Sequence, residues 1–183
     1  LRSRGLSTVR PPRVVWLTGL SGAGKSTLAE GLATALRARG ERVAILDGDS
    51  LRQGLCSDLG FSAADRVENI RRTAEVARLM LDQGLWVVVA LISPFRRDRA
   101  RARARFAAKE FVEVHVDAPL ALAEARDPKG LYARARRGEI REFTGIDSPY
   151  EPPESPELRI ETGNCSIADA ISTLLVALTT EAS

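Results

Sequence analysis

Apolar positions in this chain switch between two periods. Val14-Val-Trp-Leu-Thr18 is a short apolar run that predicts a buried strand. After a glycine-rich break, Leu28, Leu32, Ala35 and Leu36 recur at helical spacing, and Arg39-Gly40 closes that unit. Val43-Ala-Ile-Leu46 predicts a second strand, and the stretch from Ser50 to Cys56 a short helix or turn. Ser62, with Asp65 as its acidic partner, caps a predicted helix running to about Gln83, with Ile70, Ala74, Ala77 and Leu81 on its apolar face. Leu85-Trp-Val-Val-Val-Ala-Leu-Ile92 is continuously apolar and suits a central parallel strand covered on both faces. A charged helix from Arg97 to Lys109, a strand from Phe111 to Val116 and a helix starting at Asp117-Ala-Pro119 are expected next. Leu158-Arg-Ile160 predicts a last strand. Ser166 caps a final helix with Ile167, Ile171, Leu174, Leu175 and Leu178 inward. Strands alternating with helices predict an α/β domain of three layers around a parallel sheet of about five strands.

Length, charge and cysteines narrow this picture. The 183 residues suit one domain, read as residues 13–183 behind a linker or N-terminal extension at residues 1–12. The basic residues are nearly all Arg, yet acids lie among them and the net charge is only +3. No uniform basic face is expected, so nucleic acid is not the expected partner. No apolar run reaches ~18 residues, so no membrane span is expected. Cys56 and Cys165 lie far apart without metal-type spacing, which fits a reducing cytoplasm. The only methionine is Met80, so the chain is expected to be processed or cut from a longer polypeptide.

The chemistry concentrates in Gly19-Leu20-Ser21-Gly22-Ala23-Gly24-Lys25-Ser26, followed by Thr27, which fits the phosphate-binding P-loop. A predicted strand precedes it and a predicted helix follows, as that motif requires. Its glycines let the backbone approach an anion, and the helix dipole adds about half a positive charge there. Lys25 is expected to reach the β- and γ-phosphates of ATP, with the Ser26 hydroxyl on Mg²⁺. Asp47 and Asp49 end the second strand, at the edge where open α/β sheets bind ligands. A turn of solvated acids is the plainer alternative for that pair. No Asp closes the third strand in the Walker B manner, and no Asn-Lys-x-Asp motif is present, which counts against motor ATPases and GTPases. His115, on a strand between valines, reads as a strand residue rather than a catalyst. The basic segment from Asp127 to Gly138 lies where a P-loop kinase places a mobile lid; an exposed basic helix is the alternative.

Together these segments resemble the adenylylsulfate kinase family, over nearly the whole chain. The resemblance is carried by the P-loop, Asp47-Gly-Asp49 with Arg52, Asp58-Leu-Gly-Phe61, Asp65-Arg66, Glu68-Asn-Ile-Arg-Arg72, Ile92-Ser-Pro94, Arg126-Asp-Pro-Lys-Gly-Leu-Tyr132 and Phe143-Thr-Gly-Ile-Asp147. Ser50 and Ala133-Arg134 depart from residues common in the family. The resemblance implies phosphoryl transfer from ATP to the ribose 3′-hydroxyl of adenosine 5′-phosphosulfate.

On this reading Arg52, Arg66 and Asn69 hold the phosphosulfate acceptor, and Phe61 stacks on its adenine. Asp49 orients or deprotonates the 3′-hydroxyl, and Asp47 reaches Mg²⁺ through water. The resemblance further places Ile92, Ser93, Lys129 and Phe143 at the acceptor and Cys165 beside the ATP base. It also marks Ser93 as a phosphoserine position, although a loose transition state needs positioning and charge more than a covalent relay. It implies a homodimer, and in some bacteria fusion to sulfate adenylyltransferase. Two other readings stay open: a P-loop kinase for a nucleoside or sugar acid, and a catalytically silent nucleotide-binding module.

Overall fold

The computed structural model describes residues 11–179; positions 1–10 of the expected linker lie outside the described residues. The elements are β1 (Val14–Thr18), α1 (Lys25–Ala38), β2 (Val43–Asp47), α2 (Gly48–Gln53), α3 (Ala63–Asp82), β3 (Trp86–Ala90), α4 (Arg96–Arg103), β4 (Phe111–Asp117), α5 (Leu120–Arg126), α6 (Leu131–Arg136), β5 (Leu158–Glu161) and α7 (Ile167–Thr179). The strands form one five-stranded sheet, ordered β2-β3-β1-β4-β5. Every pairing is parallel. The three-layer α/β expectation is borne out.

Strand β3 is apolar throughout because both of its faces are covered. Val88 and Ala90 join a core with Leu28, Leu32 and Leu36 of α1 and Leu174 and Leu178 of α7. Val87 and Val89 join a second core with Ile70, Ala74, Ala77 and Leu81 of α3. That α3 stripe is the one the periodicity predicts, and its two large members, Ile70 and Leu81, once buried, contribute about 1.5–3 kcal/mol each. Ser62 caps α3: its Oγ accepts from the Asp65 amide at 3.2 Å and donates to the Asp65 carboxylate at 2.8 Å.

Two expectations need correction. The charged helix stops at Arg103 rather than Lys109. Beyond it the chain turns so that Phe106 packs against Phe111, ring centroids 5.4 Å apart, and the Glu110 carbonyl accepts from the Val14 amide. Tertiary packing thus ends a helix whose composition would let it continue. In α7 the buried stripe is Ala170, Leu174 and Leu178, with Ile171 and Leu175 partly buried beside it. Ile167 is 55% exposed because it is the first residue of the helix, ahead of that stripe.

Parallel pairing puts all the strand C-termini on one edge. There β1 runs into Gly19, β2 ends in Asp47, and β3 leads to Ile92 and Ser93. On β4, Val112, Val114 and Val116 enter the core shared by α1 and α7. Glu113 and His115 point to the other face, where residues 148–157 pack on them as a strap. Tyr150 stacks on His115 at 5.9 Å between centroids, and the Glu157 carboxylate accepts from the Glu113 amide at 2.6 Å. His115 is therefore buried in the strap contact, and burial lowers its pKa.

Candidate active site

The glycine-rich loop has the geometry of an anion cradle. Gly24 is the N-cap of α1 in a left-handed conformation, and no side chain caps the helix. The first amides of α1 are thus open to a ligand, at the positive end of the dipole. Gly22 has φ +74°, and a Cβ there would lie 2.7 Å from the Ala123 carbonyl oxygen, so only glycine fits. Lys25 folds back on the loop, its Nζ donating to the carbonyls of Gly19 at 2.9 Å and Leu20 at 2.7 Å. Burial, then repulsion from Lys129, lowers its pKa to about 7, against the pull of Asp47 and Asp49.

The two strand-end carboxylates have different surroundings. Asp47 accepts from the Ser26 hydroxyl at 2.6 Å through one oxygen, and caps α2 at the Asp49 amide at 3.0 Å through the other. Asp49 projects from the first turn of α2 and forms an ion pair with Lys129. These contacts bring Ser26, Asp47, Asp49 and Lys129 to one place. Ser26 and Asp47 supply hard oxygen donors side by side, the chemistry Mg²⁺ prefers.

A second cluster lies along α3. The Arg52 guanidinium sits over the Phe61 ring at 4.1 Å and donates to the Gly60 carbonyl at 2.8 Å. Phe61 is 59% exposed, so its ring has a free face. Arg66 donates to the Phe61 carbonyl at 2.9 Å and bonds across to Thr144 and the Glu142 carbonyl. Burial lowers its pKa. Asn69 is buried, yet its Nδ2 has no partner among the described residues. An unpaired buried amide costs about 1–3 kcal/mol, so this donor is placed to be completed by a ligand.

The basic segment expected as a lid is docked on the P-loop. Asp127 accepts from the amides of Tyr132 and Ala133, at 3.1 Å each, and so caps α6. The buried Tyr132 hydroxyl donates to the Ser21 carbonyl at 2.8 Å, and its ring meets Phe143 edge-on at 5.0 Å. Lid, P-loop and the Phe143 turn therefore touch through one tyrosine. Sequence reasoning gave Tyr132 no role, although it stands in the Asp127-Pro-Lys-Gly-Leu-Tyr132 run.

Other expected residues are placed less directly. Ile92 offers its carbonyl to the Thr18 hydroxyl at 2.7 Å. Ser93 is only 3% exposed, and its Oγ accepts from the Trp16 indole at 3.1 Å. The same Oγ donates to the Leu91 carbonyl at 3.4 Å. Cys165 is exposed, its Sγ bonded to the Glu161 carbonyl at 3.3 Å. Thr162, not Cys165, reaches the P-loop, donating to the Ala23 carbonyl at 2.9 Å. Arg126 closes over Thr162, at 2.9 Å from its carbonyl. Sequence reasoning gave no role to Arg126 or Thr162, and Thr162 carries no motif that would have marked it.

Comparison with known proteins gives a consistent result. The family model described as adenylylsulphate kinase matches residues 11–161. An adenylyl-sulfate kinase from Burkholderia ambifaria is 64% identical over 162 residues, covering 88% of this chain and 90% of its own. A bifunctional enzyme CysN/CysC from Xylella fastidiosa is 65% identical over 149 residues, covering 81% of this chain and 24% of its own. The solved structure of the Mycobacterium tuberculosis APS kinase CysC, in complex with AMPPNP and APS, superposes with a TM-score of 0.90 at 48% identity. It covers 94% of this chain and 100% of that one. Among the described residues no helix is long and apolar enough to cross a membrane.

Proposed function

The chain belongs to the adenylylsulfate kinase family, and from that premise we propose how its residues divide the work. The reaction is ATP plus adenosine 5′-phosphosulfate giving ADP plus 3′-phosphoadenosine 5′-phosphosulfate, the kinase step of sulfate activation. The supporting observation is the adjacency of two sites. Ser26 of the P-loop is bonded to Asp47, and Asp47 caps the turn that carries Asp49. A carboxylate for the acceptor hydroxyl thus stands two residues from one that faces the ATP phosphates.

In this reading residues 19–27 bind the ATP phosphates through backbone amides and Lys25. An arriving polyphosphate keeps Lys25 cationic, and its charge faces the transferring group. Ser26 and Asp47 would hold Mg²⁺, which supplies charge neutralisation at the phosphate oxygens. Arg52, Arg66 and Asn69 bind the acceptor's anionic end, and Phe61 takes its adenine on the free ring face. Phe143 and Ile92 line the acceptor, while Thr162, Arg126 and Cys165 border the ATP base. Asp49 orients the 3′-hydroxyl and accepts its proton, leaving Lys129 free to turn to phosphate. Transfer is direct and in line, with Ser93 shaping the turn instead of carrying the phosphoryl group.

The domain spans residues 13–183 in this proposal, works in the reducing cytoplasm with both thiols free, and pairs as a homodimer. Fusion to a sulfate adenylyltransferase is supported by the bifunctional relative. An ADP-release assay tests the reading, offering adenosine 5′-phosphosulfate, nucleosides and sugar acids in turn. Release is expected with the phosphosulfate. Release with a nucleoside or sugar acid instead would defeat it.

A further inference from the structure

We propose that Arg99 is a positioning residue for the acceptor half of the cleft, acting through the Ser93 turn and the strap. The inference rests on the functional reading above, because it takes these turns as the acceptor's border.

Helix α4 presents Arg96, Arg99 and Arg103 on one face, at i, i+3 and i+7. The strap answers with Glu151, Glu154 and Glu157. The Arg96 amide donates to the Glu151 carboxylate at 2.8 Å, and its guanidinium to Glu154 at 2.8 Å and the Pro152 carbonyl at 2.7 Å. Arg103 makes a forked pair with Glu157 at 2.6 and 2.8 Å. The Arg96–Glu154 pair is exposed and worth little, whereas the Arg103–Glu157 pair is half-buried at the edge of the strap.

Arg99 differs because it is buried. Its Nε donates to Glu113 at 2.7 Å, and its two terminal nitrogens donate to the carbonyls of Ser93 at 2.6 Å and Glu151 at 2.7 Å. One planar group thus joins the end of β3 to the strap. Ser93 needs that grip: its φ is +40°, a conformation that a residue with a side chain adopts at a cost. The joint is reinforced by the Glu151 amide, which donates to the Pro94 carbonyl at 2.8 Å, and by the Trp16 bond to Ser93 Oγ. Next along the strap, Tyr150 shares a hydrogen bond of 3.0 Å with Thr18, which holds the Ile92 carbonyl.

The strap is also the downstream anchor of the turn that opens with Phe143. That turn closes through the Gly145 amide on the Ser148 carbonyl at 2.8 Å, and Thr144 within it bonds Arg66. Contacts therefore run from Arg99 through the strap to Arg66, and from Arg99 directly to the Ser93 turn. A buried ion pair is a poor way to gain stability, since apolar residues of equal volume serve as well or better. What Arg99 supplies is a rigid fork with a direction for each nitrogen, which lysine lacks.

The test uses Arg99→Lys and the neutral pair Arg99→Met with Glu113→Gln, so that no buried charge is left alone. Melting is followed by calorimetry, and steady-state kinetics against each substrate. The expected result is a KM for adenosine 5′-phosphosulfate raised roughly tenfold or more in the neutral pair, with partial recovery in Arg99→Lys, and a KM for ATP within about twofold. Arg101→Ala, on the exposed side of α4, is expected to stay within about twofold on both. Hydrogen exchange gives a readout independent of turnover: the Glu151 and Gly145 amides should exchange at least ~tenfold faster in the neutral pair, with α1 unchanged. Lower melting with both KM values held, an equal rise in both, or unchanged protection at Glu151 would overturn the proposal. A wild-type chain inert towards the phosphosulfate would count against the functional reading, and the exchange result would still decide the clamp.

Discussion

The phosphate loop is nine consecutive residues, Gly19 to Thr27, whereas the acceptor cluster draws on α2, α3 and the turns at Ile92, Lys129 and Phe143. The first is made of backbone: left-handed glycines, uncapped amides and a helix terminus. The second is made of side chains, of which Arg66 is held by Thr144 and Glu142 and Lys129 by Asp49, all distant in sequence. Charge on the transferring group is therefore set locally, and acceptor placement is set by the whole domain. Substitutions in the loop should strike kcat, and substitutions in the cluster should strike acceptor KM.

Lys25→Ala is the largest expected loss, because it removes the fixed cation facing the transferring phosphoryl group. Turnover should be nearly abolished; retention of more than about a tenth of wild-type kcat, a loss under ~1.4 kcal/mol, breaks the P-loop side of the comparison.

Asp49→Asn comes next, at roughly 10²-fold or more in kcat, with KM for ATP little changed. The amide keeps the shape but cannot take the proton. An effect confined to KM for ATP would move Asp49 out of the acceptor's reach.

Arg66→Ala should raise KM for the phosphosulfate about ten- to a hundredfold, and KM for ATP far less. Equal effects on both substrates would erase the division between the two halves.

Ser93→Ala should keep measurable activity, with a loss of ten- to a hundredfold at most, ~1.4–2.8 kcal/mol. Part of that loss is structural, since the Trp16 indole would lose its acceptor. Stereochemistry at a chiral γ-phosphate checks the mechanism: inversion is expected for one in-line transfer. Retention together with a dead Ser93→Ala would make Ser93 the nucleophile.

The smallest effect is a proton. In the free protein Lys25 titrates near 7, against 10.5 for an ordinary lysine. Between those values the unfolded chain binds more protons, so this group's contribution to stability rises with pH from about 7 to 10.5. Bound polyphosphate favours the cation, so ATP binding at pH 8–9 should take up a fraction of a proton, approaching roughly one. Affinity should fall as pH rises through that window. Calorimetry in buffers of different ionisation enthalpy measures the uptake, and the same uptake in Lys25→Met would assign it elsewhere.

Strand and helix order, the parallel sheet and the phosphate loop were all legible in the amino-acid sequence. Apolar periodicity and glycine spacing are local consequences of backbone geometry, and a P-loop is contiguous. Motif resemblance also named Arg66, Asn69 and Lys129, but not what holds them. Folding in three dimensions is what pairs Asp49 with Lys129, ties Tyr132 of the basic segment to Ser21 and turns Ser93 Oγ to Trp16. Only the tertiary structure stopped α4 at Arg103 and set Arg99 between two loops. Each of these joins residues far apart in the chain, and no spacing rule records which distant side chain packing will place opposite.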